Sequence, residues 1–369
     1  MIFSLLSCQL FAKEYSVKNN RELSIVVKKL VAGDSVKIMP GEYQGGISLN
    51  QLKGTNDKPI RISGSGIDQT IFKNGKQAFH LVNCHYIILE NFTVKNFSIN
   101  GINADDGGSQ ENPSSGLRFE NLSIREIGPK GNFDGLKLSG LHNFIVSNCS
   151  FAGWGGSAID MVGCHSGSIS NNRITGIDGF SQNTGIQIKG GTSSIQVFNN
   201  YFNKAGQRAI NLGGSTGLKW FRPLGAKYEA KDIEVVGNTF EGGMAHIAFV
   251  TSQNANVHHN IFYKPEKWFF RILQETQDPS FIKSQKGQIR NNIFVFDNKA
   301  RTFINIGANT LPQTFTFSSN LWEDIEGKRK PSLPVKEING VYNKAVKIKQ
   351  REDGTFEVDS KYSTYGPKK

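Results

Sequence analysis

Apolar and polar residues alternate along this chain in short bursts, and two phrases take turns from about residue 80 to 324. The first is a β-like run that ends at an asparagine and leads into an apolar or aromatic pair. It reads YIILENFTV, LRFENLSI, FIVSNCSF, SISNNRIT, IQVFNNYF, IEVVGNTF, NVHHNIFY, GQIRNNIF and FTFSSNLW, around Asn91, Asn121, Asn148, Asn172, Asn200, Asn238, Asn260, Asn292 and Asn320. The second is a small or polar residue, an Ile or Leu, a variable residue and an apolar residue. It reads GLKL (135–138), AIDM (158–161), GIQI (185–188), AINL (209–212), HIAF (246–249) and FINI (303–306), with RILQ (271–274) a poorer copy. Period-two alternation bounded by Gly, Asn and Ser predicts short strands. A 3.6-residue period is visible only near 20–31.

The asparagines recur at irregular gaps of 22 to 38 residues. One unit therefore repeats while its loops vary, which is the mark of a solenoid. The fold class this predicts is all-β, a single-stranded right-handed parallel β-helix with an N-terminal helical cap. Asn tolerates the left-handed backbone of a bend, and stacked Asn side chains can bond from coil to coil. The asparagine array is thus read as structural. Residues 1–12 read as a signal-like segment, 13–45 as the N-terminal cap with a helix over Glu22 to Leu30, 46–324 as the coils, and 325–369 as a C-terminal cap with a loose basic tail. Polar insertions at 105–116, 213–231 and 275–285 are expected on one face, beside the binding site.

Composition adjusts this picture only slightly. Forty Gly suit tight turns, and 26 Phe against 9 Tyr and 4 Trp suit rings stacked inside a narrow solenoid. The net charge of +12 suggests an anionic partner; an acidic polysaccharide is the reading adopted. No basic cluster with interleaved aromatics points to nucleic acid. The start, MIFSLLSCQLFAKEYS, resembles a secretory signal. Cleavage after Ala12 and lipid attachment at Cys8 both imply export, and an unprocessed cytosolic start is the remaining reading. Cys84, Cys149 and Cys164 read as free buried thiols, with a Cys149–Cys164 bridge as the alternative.

Aligning the second phrase gives the candidate chemistry. Its variable position holds Lys137, Asp160, Gln187, Asn211, Ala248 and Asn305. These should face outward if the flanking aliphatics face inward. Lys189 lies two residues beyond Gln187; Asp134 and Arg208 lie three before Lys137 and Asn211. The result is a polar wall across successive coils. The bland reading is a solvated face with opposite charges in adjacent coils. The functional reading is a groove for a linear anionic sugar chain. β-Elimination on a uronate needs a base for the proton α to the carboxylate and a cation for the resulting enolate. Lys189 with Arg208 suits that chemistry. Lys137, or a calcium ion held by Asp134 and Asp160, would neutralise the carboxylate. Trp154, Trp220, Phe221 and Trp268 fall near turns and are candidate sugar platforms. Arg222, Arg271, Gln274 and Glu275 extend the same edge. His258 and His259 precede a repeating Asn and read as turn residues.

The stretch through about residue 322 resembles the pectate-lyase-like superfamily of β-helix proteins. AGDSVKIMPGEY followed by GTNDKPIRISG is similar to the opening of the chondroitinase B and alginate lyase family. In that family a Lys acts as base, an Arg about one coil later assists, and calcium or a basic residue neutralises the substrate carboxylate. The similar stretch here is GIQIKGGTSSIQVFNNYFNKAGQRAINLGG. The resemblance implies Lys189 as base, with Arg208 near the expected Arg and Asn211 in its slot. NFDGLKLSGLHNFIVSNC is similar to a polygalacturonase segment, with Asp134 matching its Asp. Gly155 and Gly156 stand where the carboxyl pair of such a hydrolase would be needed. The alternatives to a lyase are a glycan-binding β-helix without catalysis and a uronate epimerase.

Overall fold

The computed structural model describes residues 12–351 and 356–367. The signal-like stretch, including Cys8, lies almost wholly outside the described residues. Among these, no helix is long and apolar enough to cross a membrane.

The chain winds as a parallel solenoid. A representative coil has a first strand Ile145–Ser147, a second Ser150–Trp154 and a third Ser157–Val162. Each strand pairs in parallel with its counterpart one coil on. Three sheets result, and the third carries ten strands, from Ile47–Asn50 to Ile304–Ile306. Alternation sends one aliphatic set inward. Leu136, Ile159, Ile186, Ile210 and Ile247 form one buried row of the third sheet. On the second sheet Phe202, Phe240, Phe262, Phe294 and Trp322 stack at ring separations of 4.7, 4.8, 4.8 and 3.9 Å. Part of the phenylalanine excess lies in this stack.

The asparagine repeat proves to be two adjacent columns. Asn91, Asn121 and Asn148 occupy the bend itself, with φ of 63°, 48° and 56°. In later coils the bend falls one residue earlier, on Asn171, Asn199, Gly237, His259, Asn291 and Ser319, all at positive φ. The next residue forms the buried ladder. Asn172, Asn200, Asn238, Asn260 and Asn292 each donate side-chain N–H to the Oδ1 of the next Asn, at 2.9 to 3.1 Å. Each also donates its backbone N–H to that oxygen. The turn role expected of His259 is borne out. Cys149 holds the ladder position before Asn172, and Cys84, Cys149 and Cys164 are free and buried. The Cys149–Cys164 bridge does not form.

The cap helix runs Asn20–Val26, earlier and shorter than expected. Asn19 accepts the Glu22 N–H, and Glu22 accepts the Lys18 N–H at 2.8 Å. This reciprocal capping fixes the start, and Leu23 and Val26 close the first coil. The C-terminal segment is no loose tail. Val341–Tyr342 adds one more parallel strand, and the antiparallel pair Ile348–Gln350 and Phe356–Val358 follows. Val346, Ile348, Phe356, Val358 and Tyr365 pack on Ile261, Ile293 and Leu321, covering the outside of the later coils. These apolar residues are scattered among lysines, so their common face was hidden in the sequence.

Candidate functional site

The variable position of the second phrase becomes a row across the third sheet. In order it holds Ser48, His80, Asn103, Lys137, Asp160, Gln187, Asn211, Ala248, Arg271 and Asn305. The frame of the seventh phrase is corrected here: it is FFRI (269–272) rather than RILQ, because Phe270 takes the inward row and Arg271 the polar one.

The centre of the row is a chain of alternating charge. Lys137 Nζ lies 2.9 Å from Asp134 Oδ2 and 2.7 Å from Asp160 Oδ2. Asp134 Oδ1 accepts the Ser157 N–H at 2.8 Å. Lys189 Nζ stands 3.1 Å from Asp160 Oδ1, a charge contact that leaves this oxygen without a directed hydrogen bond. Both carboxylates are fully buried, while the lysine side chains are 26% and 21% exposed. Burial, and then the charge of Asp160, push the Asp134 carboxyl up to about 6. Burial also disfavours charge on Asp160, but Lys189 and Lys137 outweigh it and hold Asp160 below the usual carboxylate range. Burial pulls Lys137 down, yet Asp160 and Asp134 prevail and keep it above the usual lysine range.

This donor set does not fit calcium. The Lys137 ammonium occupies the space between the two carboxylates that a cation would share. No group of three or more His, Cys, Asp or Glu among the described residues is arranged for a metal. The expected pairing of Asp134 and Asp160 on a metal is therefore replaced by their pairing on Lys137.

Beyond Asp160 the row continues as a hydrogen-bond chain. Gln187 donates to the Gly213 carbonyl; Asn211 donates to Gln187 Oε1 at 3.0 Å and accepts Arg208 Nη1 at 3.1 Å. Arg208 Nη2 reaches Glu275 Oε1 at 2.8 Å. Arg208 pairs in register with Thr184, and Asn211 with Gln187, so Arg208 is offset from Lys189 along the strands, and its bond to Asn211 brings its side chain to the row. Arg271 donates to Asn305 Oδ1 at 3.0 Å and lies 4.8 Å above the Trp268 ring. Burial, and then the charge of Arg208, push Arg271 below its ordinary value.

Two expected platforms part company. Trp154 is 1% exposed and donates its indole N–H to the Thr184 carbonyl, so it is core and offers no face to a sugar. Phe221 is buried against Phe281. Trp220 is 55% exposed on the short helix Leu218–Trp220, with Lys219 over its ring. The three insertions meet as expected. Arg222 pairs with Asp106, Leu224 N–H donates to Gln110, and Ile282 N–H donates to Lys227. Arg222 and Gln274 thus hold loops together rather than line the row. Sequence reasoning missed His80, Asn103 and Asp105. His80 Nε2 and Asp105 Oδ2 are 2.7 Å apart, and Asn103 donates to the same oxygen at 3.3 Å. Extending the phrase alignment to FHLV (79–82) and GINAD (101–105) would have found them.

A family described as the right handed beta helix region matches residues 107–285. Solved structures of the same shape include the A-module of a mannuronan C-5 epimerase from Azotobacter vinelandii, with a TM-score of 0.61 and 12% identity over 89% of this chain and 98% of that one. The fold is a right-handed parallel β-helix. A rhamnogalacturonan lyase matches this β-helix at a TM-score of 0.54 and 15% identity, over 84% of this chain and 87% of that one. A PL6 family polysaccharide lyase from Pseudopedobacter saltans matches at 0.53 and 16%, over 89% and 92%. No curated protein sequence matches the chain. Identities this low carry the β-helix fold alone, and its chemistry must be argued from its residues.

Proposed function

We propose that this β-helix is an exported carbohydrate-active enzyme that cleaves a uronate-containing polysaccharide by β-elimination on its third sheet. The observation that carries the reading is the row itself. Charged and amide side chains run from His80 to Asn305 on one face, with Lys189 and Arg208 on neighbouring strands near its middle. Strands about 4.8 Å apart present groups at close to the repeat of an extended sugar chain. The likeness in shape to proteins named as polysaccharide lyases and an epimerase agrees with it.

In this reading Lys189, as the neutral amine, takes the proton α to the uronate carboxylate. The electrons of that C–H bond form the new C=C bond as the glycosidic C–O bond breaks. The proton then passes to the leaving oxygen. Lys137 offsets the charge that grows on the carboxylate, and Arg208 holds the sugar chain on the next strand. Lys137, fixed by Asp134 and Asp160, supplies a permanent positive charge one strand beyond Asp160.

The test is to incubate the protein with pectate, alginate and a glycosaminoglycan and follow the near-ultraviolet absorbance of unsaturated products. Product formation that Lys189→Ala abolishes, with binding kept, supports the assignment. One observation favours a second reading, a glycan-binding β-helix without catalysis: Asp160 holds both Lys137 and Lys189 in ion pairs. Binding without any product selects it. A changed uronate composition in chains of unchanged length selects an epimerase.

A further inference from the structure

Two arginines stand on either side of Ala248, beyond the proposed reacting centre. In the polar row, Ala248 separates Asn211 from Arg271. Its methyl is the shortest side chain in that stretch, and it leaves an open interval between Arg208, bonded to Asn211 on one side, and Arg271 on the other. They share few partners. Arg208 spends one arm on Asn211 and the other on Glu275; Arg271 spends Nε on Asn305 and rests on Trp268. Arg271 makes no ion pair with any carboxylate among the described residues. One carboxylate thus serves two partly buried guanidinium groups. That carboxylate belongs to an insertion, and its side chain is 35% exposed.

We infer that Arg208 and Arg271 form a carboxylate receptor over Ala248, and that Glu275 is its internal stand-in for a uronate carboxylate. The inference deepens the proposed function and rests on the third sheet being the polysaccharide face. Arginine suits the task, because its planar fork matches a carboxylate and holds its charge when partly buried. A solvent-accessible ion pair such as Arg208–Glu275 is weak enough to be exchanged for a ligand carboxylate. The Trp268 ring beneath Arg271 fixes the guanidinium plane, so the receptor is oriented before the ligand arrives. Ala248 lies two strands from Gln187, so the receptor reads a carboxylate on a residue beyond the one that reacts. A chain with uronates flanking the cleaved residue would satisfy it; a neutral neighbour would not.

The test uses the Lys189→Ala protein, so that ligands stay intact, and calorimetric titration with galacturonate and mannuronate trimers. Carboxyl-reduced trimers are the neutral control. At least one acidic trimer should bind about tenfold tighter than its reduced form. Glu275→Gln should tighten acidic binding by about two- to fivefold and leave the reduced trimer unchanged. Arg271→Met should weaken acidic binding by about tenfold and also spare the reduced trimer. Equal binding of acidic and reduced trimers overturns the inference, and so does weaker or unchanged acidic binding in Glu275→Gln. The lyase reading fails separately. Carboxylate-dependent binding with no unsaturated product from the unsubstituted protein leaves the receptor standing without the elimination. Product with a silent Glu275→Gln leaves the elimination standing without the receptor.

Discussion

Glu337 does for Asn320 what each ladder asparagine does for the one before it. Its Oε1 accepts the Asn320 backbone N–H at 3.0 Å and the side-chain amide at 2.8 Å. Its other oxygen accepts the Trp322 indole N–H at 2.7 Å and the Tyr342 hydroxyl at 3.1 Å. A carboxylate thus ends the amide ladder without orphaning a donor. Glu337→Ala should cost about 3 kcal/mol, since it leaves several donors unpaired. In a solenoid the loss should appear locally. Hydrogen exchange should quicken first at Asn320 and Asn292, with earlier coils little changed. Glu337→Gln keeps the acceptor and should be clearly milder.

The two asparagine columns should respond in opposite ways. Asn238 is fully buried and accepts from both the backbone and the side chain of Asn200. Asn238→Ala should cost about 3 kcal/mol or more in denaturant melts, through stranded donors and the cavity. Asn121 is exposed and held at φ 48°. Asn121→Gly removes any left-handed strain and should stay within about 1 kcal/mol of the unsubstituted chain. Equal losses at both sites would contradict the division.

His246 makes acid stability measurable at one residue. Its ring is buried among Phe240, Phe262 and Phe269, and its Nδ1 has no partner. Burial holds it down to about 3, against only the Gly242 carbonyl acting the other way. The unfolded chain takes up a proton below about pH 6.5, while the folded chain does not until about 3. Its contribution is therefore present above pH 6.5 and lost as pH falls from there towards 3. His246→Phe should make the acid limb of a stability–pH curve shallower. At pH 7 it should change stability by no more than about 1 kcal/mol. An unchanged acid limb would refute the assignment.

Lys137 should behave as an internal substitute for a metal ion. Lys137→Met leaves Asp134 and Asp160 buried without the ammonium between them, which should cost about 3–5 kcal/mol at neutral pH. Calcium should raise the melting temperature of this variant, because the two carboxylates are then free to share a cation. The unsubstituted protein should melt alike in calcium and in chelator. A chelator-sensitive melt of the unsubstituted protein would show that a metal coexists with Lys137.

Much of this was legible because coils stack in register, so a column in aligned phrases becomes a row in space. That is how Lys137, Asp160, Gln187 and Asn211 could be placed side by side. The failures come from a frame that slides along the chain, by one residue at the bends and by two in the Arg271 phrase. The bend precedes the ladder by one position from Asn171 onward, and Arg271 sits two places later in its phrase than RILQ suggests. A one-residue shift exchanges inside for outside, and local composition does not mark it. Trp154 was misplaced for a related reason. Gly153 and Gly155 beside it suggest a turn, yet the chain there is still strand, and the indole points inward.

By itself the sequence determined the alternation, the repeat and the middle of the polar row, from Lys137 to Asn211. Those depend on residues within one coil and on their repetition. Tertiary structure decided which charges in the row are occupied. Glu275 reaches Arg208 across 67 residues, and Arg222 reaches Asp106 across 116. Such pairings depend on where insertions of unequal length come to rest. A repeat pattern fixes the stacking of strands, but it carries no information about how loops close over them.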